Sequence, residues 1–309
     1  MKRLPQSTLW VLFALAIAIC VAVCHQRLII VPTVRAAVAR AQSQAPPDQS
    51  QDPAAANLAP SGPSYTTQAP PPAQSAAGQP PDDSTYAEQP AETATQAPPA
   101  LPDYTQPPPP ADGYVWTPGY WAWGPSGYYW VPGAWVEPPY VGALWTPGYW
   151  GFYGGRYLFY PGHWGLHIGF YGGINYGFGY IGFGYEGGYW NSGHFFYNRV
   201  YNNLNTRVVV RNVYSYNASN RAGGVSRARA SFNGGSRGVQ ARPRPSEVAA
   251  WREPTAPRMS TQVQHAQSYS KARGQLATQN HGRPATAAIS RPIAADHNVK
   301  PTTSHGGRR

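Results

Sequence analysis

The stretch Trp116-Thr117-Pro118-Gly119-Tyr120-Trp121 (WTPGYW) recurs unchanged at Trp145–Trp150, and Trp130–Trp135 (WVPGAW) lies between the two. A variant at Phe159–Trp164 (FYPGHW) and a weaker form at Trp190–Phe195 (WNSGHF) extend the series. Successive copies start 14, 15, 14 and 31 residues apart. A near-constant step of this size marks one supersecondary unit copied in tandem, with one unit replaced before the fifth copy.

One copy has a direct physical reading. Pro-Gly suits the two central positions of a type II turn, because Pro presets φ and Gly accepts φ > 0. A turn closed by Thr117 and Tyr120 makes Trp116 and Trp121 the next cross-strand pair. The same arithmetic pairs Trp130 with Trp135, Trp145 with Trp150, Phe159 with Trp164 and Trp190 with Phe195. Gly119, Gly133, Gly148 and Gly162 are then the turn glycines, with φ > 0 expected at the first three. Two-residue hairpins prefer the primed turns, however, and a type II turn splays its strands. Second turns separate the copies at Trp123–Tyr128 (WGPSGY), Glu137–Gly142 (EPPYVG) and Tyr153–Tyr157 (YGGRY). The expected fold is therefore all-β: an antiparallel meander of about eight short strands, each roughly 3–5 residues. Its large indole face serves as core, since strands this short need a strongly apolar face. The opposite face carries Val115, Ala122, Val131, Ala134, Val136 and Leu144.

The rest of the 309-residue chain divides by composition. Residues 113–217 hold 34 of the 42 aromatics and are the expected fold unit. Residues 1–41 carry five basic and no acidic residues. Lys2 and Arg3 precede an uncharged apolar run, Leu9–Val23, which suits an export signal. A retained anchor over residues 9–31 and a lipoprotein site at Cys24 are the alternatives. Cys20 and Cys24 are the chain's two cysteines, so no disulfide is expected to staple the fold. Residues 42–112 carry eight acidic and no basic residues and end in TQPPPPADG, the composition of an extended disordered linker. Residues 218–309 carry fifteen basic against three acidic residues without periodicity, and read as a disordered basic tail. Within the middle region, the Gly-rich 169–188 reads equally as a close-packed strand or a loop. Thr206–Tyr216 (TRVVVRNVYSY) reads as a β-branched strand.

No chemistry-bearing constellation accompanies the repeats. His163 and His167 have an i, i+4 metal spacing that requires a helix, which Pro161, Gly162 and Gly165 oppose. On a strand they would lie about 13 Å apart. The carboxylates of the middle region, Glu137 and Glu186, sit in a Pro turn and a Gly-rich run, and no nucleophile, phosphate-loop or dinucleotide motif appears. No enzyme, cofactor or metal is expected. The tail's Arg/Gly/Ser runs could meet polyanions, but an export signal disfavours nucleic acid as the partner. Envelope polysaccharide, an anionic membrane surface or another envelope protein fit better, and the oligomeric state is not legible.

The W-x-P-G-x-W copies resemble the bacterial YXWGXW/WXXGXW-repeat proteins, which are exported cell-envelope proteins. The likeness covers about Tyr114–Asn203, including GHWGLHIGFYGGINYGFGY and GYWNSGHFFYNRVYNN, with Phe159 and Ser192 as departures. It implies export and repeat architecture, and brings no catalytic residues. The expected function is a non-enzymatic structural or interaction protein of the envelope, located in the periplasm or outer envelope. The alternatives are a glycan-binding module using exposed aromatics and polyanion binding through the tail.

Overall fold

In the computed structural model, residues 115–136 run as one long hairpin with two defects. Val115–Thr117 (β2) pairs with Ala134–Val136 (β5), and Tyr120–Gly124 (β3) pairs with Gly127–Val131 (β4). Both ladders share one register: Trp116 faces Trp135, Trp121 faces Trp130, and Gly124 faces Gly127 across the Pro125-Ser126 turn. Pro118-Gly119 and Pro132-Gly133 lie opposite each other and interrupt the ladder, because Pro cannot donate to it. Residues 144–165 repeat the design. Leu144–Thr146 (β6) pairs with His163–Gly165 (β9), and Tyr149–Tyr153 (β7) with Arg156–Tyr160 (β8), closed at Gly154-Gly155. Two copies thus make one hairpin, and the structural period is two motifs rather than one.

This corrects the turn assignment. The chain does not reverse at Pro-Gly in copies one to four, and Gly119, Gly133, Gly148 and Gly162 are absent from the glycines with positive φ. Pro cannot take the φ > 0 that the first position of a primed turn requires, so reversal moves to the loops between copies. Gly154 and Gly155 (φ +56° and +79°) supply a type I′ turn, and Gly127 (φ +91°) closes the other. The fifth copy, with Ser192 in place of Pro, is a true hairpin. Gly188–Asn191 (β12) and His194–Asn198 (β13) flank Ser192 and Gly193, at φ +50° and +79°, and Trp190 faces Phe195.

The structure describes residues 52–61, 90–204, 210–218 and 229–302. The chain divides into two units, 1–52 and 53–309, and Asp52 is the described residue of the first. The second is mostly short antiparallel strands with few helices, as the sequence indicated. Glu92–Ala94 (β1) and Phe232–Asn233 (β15) extend the second hairpin into a sheet ordered β1-β8-β7-β15, with β15 parallel to β7. Ala256–Pro257 (β16) adds to β9 in a sheet ordered β16-β9-β6. The Gly-rich segment resolves as a hairpin of Asn175–Gly177 (β10) and Tyr180–Ile181 (β11). Of the strand expected over Thr206–Tyr216, residues 206–209 lie outside the described residues. Among its described residues, Val213–Tyr214 (β14) form a strand, parallel to β13.

The ordered body is wider than 113–217. Residues 229–302 carry three α-helices, Pro245–Trp251 (α1), Ser260–Tyr269 (α2) and Ala277–Asn280 (α3), and a short 3-10 helix at Arg273–Gln275. They place Phe232, Val239, Ala256, Met259 and Ile293 in the same core as the repeat tryptophans. Composition suggests disorder there because apolar residues are sparse; each of these five lands singly among the repeat aromatics. Residues 90–112 likewise lie along the aromatics instead of serving wholly as a spacer.

Candidate functional site

The tryptophans of the repeats meet in pairs from neighbouring copies. Trp116 and Trp135 have ring centroids 5.4 Å apart at 66°, and Trp121 and Trp130 5.2 Å apart at 70°. In the second hairpin Trp145 meets Trp164 at 5.1 Å, and Trp150 meets Phe159 at 5.2 Å. Edge-to-face and tilted contacts of this kind are the favoured aromatic geometries. The fifth pair, Trp190 and Phe195, lies at 5.3 Å. Trp116, Trp121, Trp130, Trp135, Trp150 and Trp164 are at most 2% exposed and Trp145 is 5% exposed. The small opposite face is buried as well, since Val115, Ala134 and Val136 are fully covered.

The motif glycines serve these indoles. A Cβ on Gly119 would stand inside the Trp130 ring and 2.9 Å from the Val131 carbonyl oxygen. On Gly133 it would lie 2.7 Å from the Trp116 ring, and on Gly162 it would meet the Trp145 ring. On Gly148 it would fall 2.7 Å from the Tyr160 oxygen and 2.9 Å from the Phe159 ring. Each glycine is the floor on which the first aromatic of the partner copy lies.

The indole N–H groups then bind segments outside the repeats. Trp121 donates to Ala100 O (3.1 Å), Trp130 to Ala287 O (2.9 Å) and Trp135 to Pro107 O (2.7 Å). Trp164 donates to the Gln262 side chain (2.9 Å), and Trp150 to Trp121 O (2.7 Å), which ties the two hairpins together. Tyr180 makes the same tie from the Gly-rich segment. Its hydroxyl lies 3.1 Å from Trp116 O and 2.9 Å from Trp145 O, equivalent carbonyls of the two hairpins. Burial pushes the Tyr180 phenol well above its ordinary range, so it remains a donor.

The titratable groups singled out in the sequence are dispersed. His163 is buried, and burial lowers its imidazole to about 4. His167 instead pairs with Glu253 through Nδ1 at 2.7 Å. Among the described residues no group of three or more His, Cys, Asp or Glu could hold a metal ion. Glu137 accepts from Ala295 N at 3.2 Å. Glu247 in α1 is buried, and burial raises its carboxyl to about 7, although Oε2 accepts from Arg244 N at 2.8 Å. Beside it, His163, Tyr149, Tyr160 and Trp251 line a cavity of about 40 Å³. A second small cavity, about 30 Å³, lies where Pro118, Pro132, Pro147 and Gly162 converge near Arg258. The roomiest of these three, about 320 Å³, is a cleft between Asp103, Tyr104, Phe178 and Arg229. The repeat spacing does not point to those four residues. Tyr104 is the one aromatic between Tyr86 and Tyr114, which is the signal the linker offered.

The family model of the WXXGXW repeat matches residues 112–136, in two copies. The chain carries WXXGXW repeats. The matched span contains the whole first hairpin, and the second hairpin reproduces its register with Phe159 in one Trp position. No curated protein and no solved structure matches the chain. The WXXGXW signature is explained by the pairing just described: two aromatics for two different ladders, and one glycine as the bed for a partner's indole. Among the described residues no helix is long and apolar enough to cross a membrane. The apolar run at residues 9–31 lies outside them.

Proposed function

We propose that this WXXGXW-repeat protein is a non-enzymatic structural or interaction protein of the bacterial cell envelope. The observation that carries the reading is the use made of the repeat. Its indoles are buried, and their N–H groups hold the linker and tail against two hairpins. A motif used this way builds a rigid body and leaves recognition to the surface around it. Export is supported by Lys2, Arg3 and the apolar run Leu9–Val23. Fractionation of the native protein with N-terminal sequencing tests the reading. Recovery in the periplasm or envelope with a start beyond the apolar run Leu9–Val23, or with an intact Met1 in the membrane, supports it. Recovery of the intact chain in the cytosol sinks it.

Polyanion binding through the tail is the second reading, favoured by one observation. Of the eleven Lys and Arg residues between 229 and 302, all but Arg258 are exposed, although the segment around them is folded. Such a surface would hold an anionic membrane or polysaccharide by screened electrostatics. Co-sedimentation with anionic vesicles that persists undiminished in high salt would count against it.

A further inference from the structure

Three segments outside the repeats converge on the open cleft. The linker supplies Asp103 and Tyr104, the β10–β11 hairpin supplies Asn175 and Phe178, and the tail supplies Arg229, over a floor that includes Trp130. Its volume, about 320 Å³, falls at the small end of ligand pockets, whereas the other two cavities have room for little more than a few waters.

Two features of its walls are poorly explained by the fold alone. Phe178 occupies the first central position of the β10–β11 turn at φ +53°, where Asn or Gly is the unstrained choice. It is half-buried, with its ring 5.0 Å from Tyr104 and 5.6 Å from Trp116. An aromatic held in a strained turn at the mouth of a cleft is the kind of outlier that points to a site. The second feature is the pair between Arg229 Nη2 and Asp103 Oδ2 at 2.9 Å, with side chains 50% and 82% exposed. An ion pair this exposed contributes little to stability. Arg229 is nevertheless held in place, because its Nε also donates to Leu101 O at 3.0 Å.

The chemistry of the walls selects a ligand class. Phe178 and Tyr104 offer apolar ring surface. Asp103 offers acceptors, Arg229 donors and Asn175 both. The Asp–Arg charges cancel, so the cleft has no net pull on an anion. An apolar ring face bordered by adjacent groups that each donate and accept is a pyranose. We propose that this cleft binds one pyranose ring of a neutral glycan, stacked on Phe178 and Tyr104, with vicinal hydroxyls held by Asp103, Arg229 and Asn175. The proposal rests on the reading of the chain as an interaction protein.

The test is calorimetric and fluorescence titration of the full chain with cellobiose and with the N-acetylglucosamine disaccharide. At least one is expected to bind saturably. Phe178→Asn, which places the turn-favoured residue in the hairpin, should weaken that binding about tenfold or more with the thermal midpoint retained. Asp103→Asn alters a largely exposed side chain, so it keeps the test independent of the hairpin's fold; it should weaken binding by a similar factor. Absence of saturation with both sugars at tens of millimolar overturns the proposal. So does binding that neither substitution alters, or tighter binding of the disaccharide's uronic-acid counterpart. Envelope recovery without saccharide binding would overturn this inference and leave the structural reading standing; saccharide binding by a cytosolic chain would do the reverse.

Discussion

The residue that decides the motif is its glycine, and the reason is contact rather than backbone conformation. Gly119 has no positive φ, yet a Cβ there would enter the Trp130 ring and crowd the Val131 carbonyl. Both neighbours are held in place: Trp130 is 1% exposed and the oxygen is backbone. Gly119→Ala is therefore expected to destabilise by about 1–3 kcal/mol, the range of overpacking in a close-packed core. Gly154 makes the opposite case. It has φ +56° and nothing within 4 Å of an added Cβ, so Gly154→Ala should cost only the left-handed backbone term, about 1 kcal/mol. Denaturant melts distinguish the two readings: equal, small effects at both positions would mean that the indole does not rest on Gly119. The identity of these glycines was legible from the repeat, but their role was not. A Pro-Gly dipeptide looks the same whether it turns the chain or interrupts a ladder, and only the partner strand separates the two.

At the scale of elements, the sequence showed about eight short strands and a buried indole face, and the structure has eight strands over residues 115–165 with the indoles buried. Which strand pairs with which was harder, because the five-residue spacing fits either pairing within a copy or pairing between copies. The tight Gly-Pro-Ser-Gly and Gly-Gly loops between copies carried the better hairpin signal, and at Ser192-Gly193, where Pro is missing, the within-copy pairing is realised. Helix α1 was not legible at all, since its neighbours in space are far away in sequence. It carries the clearest pH dependence. Glu247 has a folded carboxyl at about 7 against an ordinary 4.5, raised by burial, with Oε1 lacking a hydrogen-bond partner. Below pH 4.5 the carboxyl is protonated in both states and has no effect. Between 4.5 and 7 the unfolded chain ionises first, so stability falls as pH rises, and the loss is complete above 7. The shift corresponds to about 3 kcal/mol. Glu247→Gln retains an acceptor for Arg244 N and removes the ionisation. The variant should gain on the wild type as pH rises from 4.5 to 7 in parallel thermal melts. A difference that stays constant over that range would show that Glu247 titrates normally.

For the whole molecule, the question is whether the repeats fold without their neighbours. Composition places the fold unit at 113–217, because the aromatics are concentrated there. The cleft at Asp103, Phe178 and Arg229 was illegible for a related reason: its walls come from three segments far apart in sequence, with no period to announce them. The hydrogen bonds of the repeat tryptophans reach beyond the limits of 113–217. A fragment 113–217 loses Ala100 O, Pro107 O, Ala287 O and the Gln262 side chain, the acceptors for Trp121, Trp135, Trp130 and Trp164. It also loses Phe232, Ala256, Met259 and Ile293 from the core. A buried donor left without a partner costs about 1–3 kcal/mol, so four would cost roughly 4–12 kcal/mol before any apolar loss. That is comparable to the total of about 5–15 kcal/mol that holds a typical domain folded. Opening the indoles to water would satisfy the N–H groups but expose the face that stabilises strands this short. Fragment 113–217 should therefore be unfolded or molten, with red-shifted tryptophan emission and no cooperative melt, whereas fragment 90–302 should melt cooperatively with blue-shifted emission. A cooperative transition in 113–217 at the temperature of 90–302 would show that linker and tail merely decorate a self-sufficient pair of hairpins.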